Sequence, residues 1–593
     1  MRTRLLLSSA IPLFLLSPFS LLRAAEPRPE PRPNVVIILA DDMGFSDLGC
    51  YGGEIPTPHL DALAQGGLRF TQFYNTARCC PTRAALLTGL YSHQAGIGHM
   101  TSPRTGPDGA VLPGYQGQLS DRCVTIAEVL RPAGYFTAMT GKWHVGQALG
   151  TVPWKRGFDR SLNAAAGGFF FPDGGKNVNL FLNGESVGSG GTAGVPKEWY
   201  STDLWTDYGL KFIDEARAER KPFFLYLAHN APHFPLQAPP EDIARFRGKF
   251  KAGWDKLRAE RYRRQIALGL IDPAWPLTPR PAHVPAWDSL SAADQDRYDH
   301  IMAIYAATLF RMDQAIGRLV AGLRERGALE NTLIFFLSDN GGNAESGVRG
   351  RLEGANPGGP GSSVFVGECW ALLENTPFRR YKHFNHEGGI ATPLIAHWPA
   401  GIPAARAGKW ETQPGHLVDL MATCVDVGGA NYPTTFNGKA IQPMEGVSLK
   451  PLLTSSSLPL SLSSTSPSLP ISLPSSSSTS PSLPLSLSSM SSPRPLFWEH
   501  EGNAAVRRGD WKLVRYESRG AWELYNLKAD RTEQCDLARE QPALAAELAG
   551  LWDAWAKRAH VLPVRAYAIE PHGAPTPIDS PGAAKGKKKK KSP

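Results

Sequence analysis

Four short apolar runs in this 593-residue chain stop abruptly at side chains able to bind a metal ion or move a proton. NVVIILA ends in Asp41-Asp42, YFTAMT in Gly141-Lys142-Trp143-His144, KPFFLYLA in His229-Asn230-Ala231-Pro232-His233, and NTLIFFL in Ser338-Asp339-Asn340-Gly341-Gly342. Runs that are apolar on both faces read as strands of a parallel sheet covered on both sides. Ligands of open α/β sheets bind beyond the carboxyl ends of such strands, so the four ends are expected to converge on one site. Asp41, Asp42, Asp339 and Asn340 would then offer three carboxylates and an amide oxygen, the hard oxygen set that Ca2+ prefers and Mg2+ tolerates. Zinc favours nitrogen or sulfur. Taken one at a time, each end also has a plain structural reading: a loop cap at Asp41-Asp42, a tight turn at the DNGG tetrapeptide, and ordinary loop or core positions for Lys142, His144, His229 and His233.

A fifth element is ARCCPTRAALLTG, residues 77 to 89. Pro81 suits the first turn of a helix whose body is Arg83 to Leu87. Cys79 then falls just ahead of that helix, where unpaired N–H groups favour an anion. Spacing alone leaves open a buried thiol and a vicinal Cys79–Cys80 disulfide.

These elements are expected to be positioned by one large unit, residues 34–454, in which strands and helices alternate. The expected class is α/β: a large mixed, mainly parallel sheet sandwiched by helices, with a smaller C-terminal domain of antiparallel strands plus a helix. Thr57-Pro58 followed by HLDALAQGG reads as a capped short helix, and Ile301 to Leu323 as a long amphipathic helix ending near Gly327. Residues 494–571 form the expected C-terminal subdomain, with strands in LFWEH, AVRRGDWKLVRY and WELYNL and a helix over 541 to 559. Between the two units, residues 455–493 are almost wholly Ser, Leu, Pro and Thr and read as a disordered insertion. Residues 572–593 read as a disordered basic tail. Residues 1–25, with Arg2 and Arg4 ahead of an apolar stretch and Arg23-Ala24-Ala25 behind it, read as a secretory signal, which places the protein in the periplasm or outside the cell. No later stretch is apolar enough to span a bilayer, so no stable membrane insertion is expected.

The net charge of +9 is accounted for by Lys585, Lys587 to Lys591, Arg2, Arg4 and Arg23, all in the terminal segments. The remaining body is formally neutral, which removes the counterion-release argument for a nucleic-acid partner. Seven cysteines (50, 79, 80, 123, 369, 424 and 535) are too few for a disulfide framework in a chain of this length.

Cys79-Cys80-Pro81-Thr82-Arg83 followed by AALLTG resembles the CxPxR signature of type I sulfatases, the formylglycine-dependent arylsulfatases of the alkaline phosphatase-like superfamily. The resemblance extends through ADDMGFSDLGCYGG, GKWHVG, APHFPL, SDNGG, PFRRYKHFNHEGGIATP, GDWKLV and ELYNL. It implies hydrolysis of sulfate esters, on a sulfated small molecule or a sulfated polysaccharide. It also implies that Cys79 is oxidised to formylglycine by a dedicated maturation enzyme before folding. One Ca2+ per chain would be held by Asp41, Asp42, Asp339, Asn340 and an oxygen of modified Cys79. Arg83, Lys142, His144, His233 and Lys382 resemble the remaining site residues, with His144 the expected base and His233 the expected acid. Lys382 rests on the resemblance, because spacing alone marks FRRYKHFNHEGG as a solvated charge cluster; His229 and His386 are secondary candidates. Thr82 replaces the commoner serine, and Cys80 is an unusual occupant of the variable position. Two other functions fit these residues: a phosphodiester or phosphonate monoester hydrolase using the same site, and a sulfated-glycan-binding protein in which Cys79 stays unmodified.

Overall fold

The protein is described by a computed structural model covering residues 32–172, 180–187, 195–456, 493–518 and 520–561. The expected signal segment, nearly all of the serine-rich insertion and the basic tail lie outside the described residues.

Strand β1 (Asn34–Ala40) lies at the centre of the main sheet and pairs in parallel with β5 (Phe223–Ala228) on one side and β6 (Thr332–Ser338) on the other. Beyond β5 come β3 (Phe136–Lys142) and β4 (Arg160–Ala164), both parallel to it. Beyond β6, β7 (Ala391–His397) runs antiparallel and is followed by β2 (Leu68–Tyr74). Short strands extend both edges. Strand side chains alternate between faces, and β1 shows it directly: Val36, Ile38 and Ala40 enter one hydrophobic core, and Val35, Ile37 and Leu39 the other. The first core is covered by helices α2 (Ser201–Ala218) and α3 (Ala292–Glu325), the second by α1 (Cys79–Thr88) and α4 (Val418–Gly428). Two covered faces explain why the strands carry no polar alternation until their last residue.

Helix α3 starts earlier than its apolar pattern, because the Ser291 side chain accepts from Asp294 N–H and adds polar turns ahead of Ile301. The short helix begins at Pro58 as expected, but Thr57 does not cap it. Its hydroxyl instead donates to Asp61 (3.0 Å) and accepts from Gly49 N–H (2.9 Å), tying the helix to the loop after β1.

The C-terminal sheet is an antiparallel meander of β8 (Leu496–His500), β9 (Asn503–Arg508), β10 (Trp511–Arg515) and β11 (Trp522–Asn526). Helix α5 (Pro542–Arg558) covers one face through Leu548, Trp552 and Trp555. The opposite face, with Trp498, Val514 and Tyr525, joins the main core. A buried ion network crosses this junction: Lys512 Nζ lies 2.9 Å from Glu387 Oε1 and 2.8 Å from Glu533 Oε1, and Arg531 Nε lies 2.8 Å from Glu387 Oε2. No helix among the described residues is long and apolar enough to cross a membrane.

Candidate active site

Asp41 and Asp42 follow the last residue of β1, Asp339 and Asn340 follow β6, Lys142 ends β3, and His229 to His233 follow β5. Parallel pairing in register therefore delivers all four groups to one edge of the sheet. Cys79 opens α1, with Arg78 extended at the N-cap, so it is the first helical residue instead of standing ahead of the helix. Neither Cys79 nor its neighbour Cys80 is in a disulfide.

Arg83, fully buried in α1, joins these ends. Its Nη2 lies 2.9 Å from Asp339 Oδ2 and 3.4 Å from Asp41 Oδ2, and its Nη1 donates to the Lys142 carbonyl at 3.0 Å. Lys142 Nζ reaches Asp41 Oδ2 at 2.6 Å. Asp42 receives Lys382 Nζ at 2.8 Å, Asn340 Nδ2 at 2.7 Å and Asn343 Nδ2 at 2.6 Å, and the Asp42 N–H donates to Asp339 Oδ1 at 3.2 Å. His233 Nε2 stands 3.6 Å from Asp42 Oδ2, while its Nδ1 bonds the Phe234 carbonyl at 2.5 Å. Asp42 (φ 67°) and His144 (φ 54°) occupy left-handed backbone, a conformation that non-glycine residues hold only where surrounding structure enforces it. The two glycines after Asn340 mark close packing: a Cβ on Gly341 would sit 2.0 Å from the Gly388 carbonyl oxygen.

Electrostatics separates the groups. Burial raises the Asp41 carboxyl, but Lys142, His233 and Arg83 overcome it and hold Asp41 well below the usual carboxylate range. Asp339 is pushed well above that range, by burial and by the neighbouring Asp41 charge. His144 is lowered by desolvation and is neutral at neutral pH; its ring hydrogen-bonds the Cys79 side chain. The Cys79 thiol is held well below the thiol range by a hydrogen bond from Cys80 and by Lys142 and His144, against the opposing effect of burial.

The residues fit a hard divalent cation. Asp41 Oδ1 and Asn340 Oδ1 are buried oxygens with no hydrogen-bond partner, and such groups are rare unless something compensates them. Both belong to an oxygen set that also contains Asp42 and Asp339, whose mutual repulsion a cation would offset.

His229 and His386 stand apart. His229 is buried with neither ring nitrogen hydrogen-bonded, and desolvation lowers it to about 3. His386 Nε2 lies 2.8 Å from Arg379 and 3.2 Å from Glu523, at the junction with the C-terminal sheet. Sequence reasoning missed Asn343 on Asp42 and Glu345, whose Oε1 lies 3.6 Å from Lys382 Nζ. Their signal was the continuation of SDNGG into Asn343 and Glu345.

A sequence profile of the Sulfatase family matches residues 33–430. An arylsulfatase of Klebsiella aerogenes is 35% identical over 442 residues, covering 70% of this chain and 91% of that one. An uncharacterised sulfatase of Schizosaccharomyces pombe is 32% identical over 560 residues, covering 88% of this chain and 93% of that one. Among solved structures, that of Ps i-CgsB in complex with k-i-k-neocarrahexaose is similar with a TM-score of 0.61 and 26% identity, covering 90% of this chain and 94% of that one.

Proposed function

Because the chain belongs to the sulfatase family, hydrolases of sulfuric esters, we propose that it cleaves sulfate monoesters with a formylglycine made from Cys79 and a calcium ion held by Asp41, Asp42, Asp339 and Asn340. The observation that carries this reading is the Arg83 bridge, which draws the N-terminal turn of α1 and two acidic strand ends into one buried cluster.

When present, the cation would supply positive charge to sulfate oxygens, and a hydrated aldehyde at position 79 would supply two hydroxyls on one carbon, one to attack and one to let sulfate go. Lys142 and Lys382 stay protonated, since Asp41 and Asp42 outweigh their desolvation, and they neutralise sulfate oxygens. Neutral His144, bonded to the side chain at position 79, is placed to take a proton there. His233 sits on the more open side of the cluster. Its Nδ1 is held on the Phe234 carbonyl and its Nε2 faces the site, where a leaving oxygen needs a proton. Arg83 positions Asp41, Asp339 and the end of β3 without moving protons.

The substrate class proposed is a sulfate ester of a glycan or of a small alcohol or phenol; the likeness to Ps i-CgsB, solved with a neocarrahexaose, supports the glycan end of that range. Export through residues 1–25 and maturation by a formylglycine-generating enzyme belong to the same proposal, and N-terminal sequencing of the mature protein tests the first. Mass spectrometry of the Cys79 peptide, from a host that has the maturation enzyme, tests the nucleophile: unmodified thiol alone overturns it. Rates on an aryl sulfate and an aryl phosphonate measured side by side separate sulfate from phosphoryl chemistry, with sulfate expected to be faster. Retained glycan affinity with no turnover and an unmodified Cys79 would support the binding-protein alternative.

A further inference from the structure

Next to Lys382, and outside the oxygen cluster, lies a group of imidazoles that the proposed chemistry does not use. His383 follows Lys382 in its loop, His500 ends β8, and Glu501 starts the tight turn into β9. His383 Nδ1 lies 2.9 Å from Glu501 Oε2, and His500 Nε2 lies 3.7 Å from Glu501 Oε1. One potential ligand atom from each of the three falls within 4.8 Å of the other two. His500 is fully buried, yet neither of its ring nitrogens has a hydrogen-bond partner. Its ring stacks on that of His99 (centroids 5.8 Å apart) and lies tilted against that of His383 (5.9 Å). Protons alone do not explain the arrangement. His99 Nε2 and His383 Nδ1 both bond the Glu501 carboxylate at 2.9 Å, which leaves the His500 ring unmet.

We propose that His383, His500 and Glu501 form a second metal site, selective for zinc or a similar borderline divalent ion. Ligand atoms around a tetrahedral zinc are separated by about 3.3 Å for bonds of about 2.0–2.1 Å, and the 2.9 Å and 3.7 Å separations, which run to the two different oxygens of Glu501, lie on either side of that spacing. Two imidazoles and a carboxylate suit zinc better than calcium, the reverse of the oxygen-only preference of Asp41, Asp42, Asp339 and Asn340. The far side of His383 is already arranged for such a role. Its Nε2 lies 2.9 Å from Glu345 Oε1, so a metal on Nδ1 would complete a carboxylate–histidine–metal relay of the kind that orients ligating imidazoles. Arg78 packs against the same edge of His383 and pairs with Glu345, so those two charges cancel and Glu501 is left to meet the cation. His99 would orient Glu501 from outside. Side-chain exposures of 18% for His99, 15% for His383 and 10% for Glu501 give an ion a way in. His383 (φ 82°) and Glu501 (φ 51°) are both held in left-handed backbone. A bound ion would cross-link the turn of the C-terminal sheet to the loop that carries Lys382, across a separation of 118 residues.

The test is Zn2+ binding by the full chain after chelation, in a Cys79→Ala, Cys80→Ala background that removes the competing thiols beside His144. Titration calorimetry and elemental analysis should give one bound zinc. Co2+ in its place should give visible d–d absorption without a thiolate charge-transfer band. His500→Ala and Glu501→Gln should each weaken Zn2+ binding at least tenfold, while Asp339→Asn leaves it unchanged. Absence of saturable Zn2+ binding, equal affinity in both His500→Ala and Glu501→Gln, or loss in Asp339→Asn alone would each overturn the assignment. If circular dichroism shows that His500→Ala has not folded, Glu501→Gln and the zinc-dependent rise in melting temperature of the background chain decide the matter, and no rise counts against the site.

Discussion

Lys382 Nζ lies 2.8 Å from one oxygen of Asp42 and 2.9 Å from the other, although the two buried residues are 340 positions apart. Removing one partner of a buried pair strands the other, at a cost of about 3–5 kcal/mol. Lys382→Met should therefore lower stability by roughly that amount in urea unfolding, and kcat/KM on an aryl sulfate by about 100-fold or more. Adding Asp42→Asn should recover part of the stability and none of the activity. Full activity in Lys382→Met would remove this lysine from the site.

Asp41 Oδ1 and Asn340 Oδ1 lack hydrogen-bond partners, and burial together with the neighbouring Asp41 charge pushes the Asp339 carboxyl well above the usual carboxylate range. A divalent cation would let all the carboxylates ionise together. Exhaustive chelation is expected to abolish turnover and lower the melting temperature, and Ca2+ to restore both. Asn340→Ala should weaken Ca2+ binding by about tenfold or more. Activity that survives chelation with no calcium in elemental analysis contradicts the ligand set.

His233 presents Nε2 to the site while Nδ1 is held by a backbone carbonyl. Proton donation matters most when the departing oxygen is a strong base. His233→Ala should cost about 100-fold or more on alkyl or sugar sulfates and far less on an activated nitrophenyl sulfate. Equal losses on both would leave it with no role as an acid.

His229 and His416 are buried, and desolvation lowers each to about 3. Between that value and the ordinary histidine value near 6.5 the unfolded chain binds a proton at each position that the folded chain does not. Stability from these two is complete above about pH 6.5 and falls with decreasing pH, at about 3 kcal/mol per pH unit in the middle of the window. The urea midpoint should drop between pH 7.5 and 5.5, and the double replacement His229→Asn, His416→Asn should flatten that slope. An unchanged slope would show that other groups govern acid unfolding.

The strand ends were legible because β1, β3, β5 and β6 are buried on both faces, so their first polar residues could only mark an edge where something binds. Lys382 was not legible from spacing. It lies in a polar loop that looks solvated until the C-terminal sheet is laid over it, with Asn503 donating to the His383 carbonyl at 3.1 Å and Asn385 to the Asn503 carbonyl at 2.8 Å. By residue type and spacing alone His229 and His233 looked equivalent, and only the resemblance preferred His233; the turn between them points the first into a dry interior and the second at Asp42. The start of α1 one residue earlier than Pro81 suggested moved Cys79 into the helix. That shift leaves its neighbours Lys142 and His144 unchanged, because they arrive from β3.

The ion network under the C-terminal sheet also sets an order of assembly. Glu387 meets Arg531 only after 144 more residues have been synthesised, and Lys512 is likewise made late. Until then the segment leading into β7 carries a carboxylate whose native surroundings contain no countercharge, so closing the sheet early would strand it in a dry interior. A growing chain on the ribosome thus has an energetic reason to postpone its last compaction. During that delay the cysteine at the head of α1 would remain open to the modification proposed above.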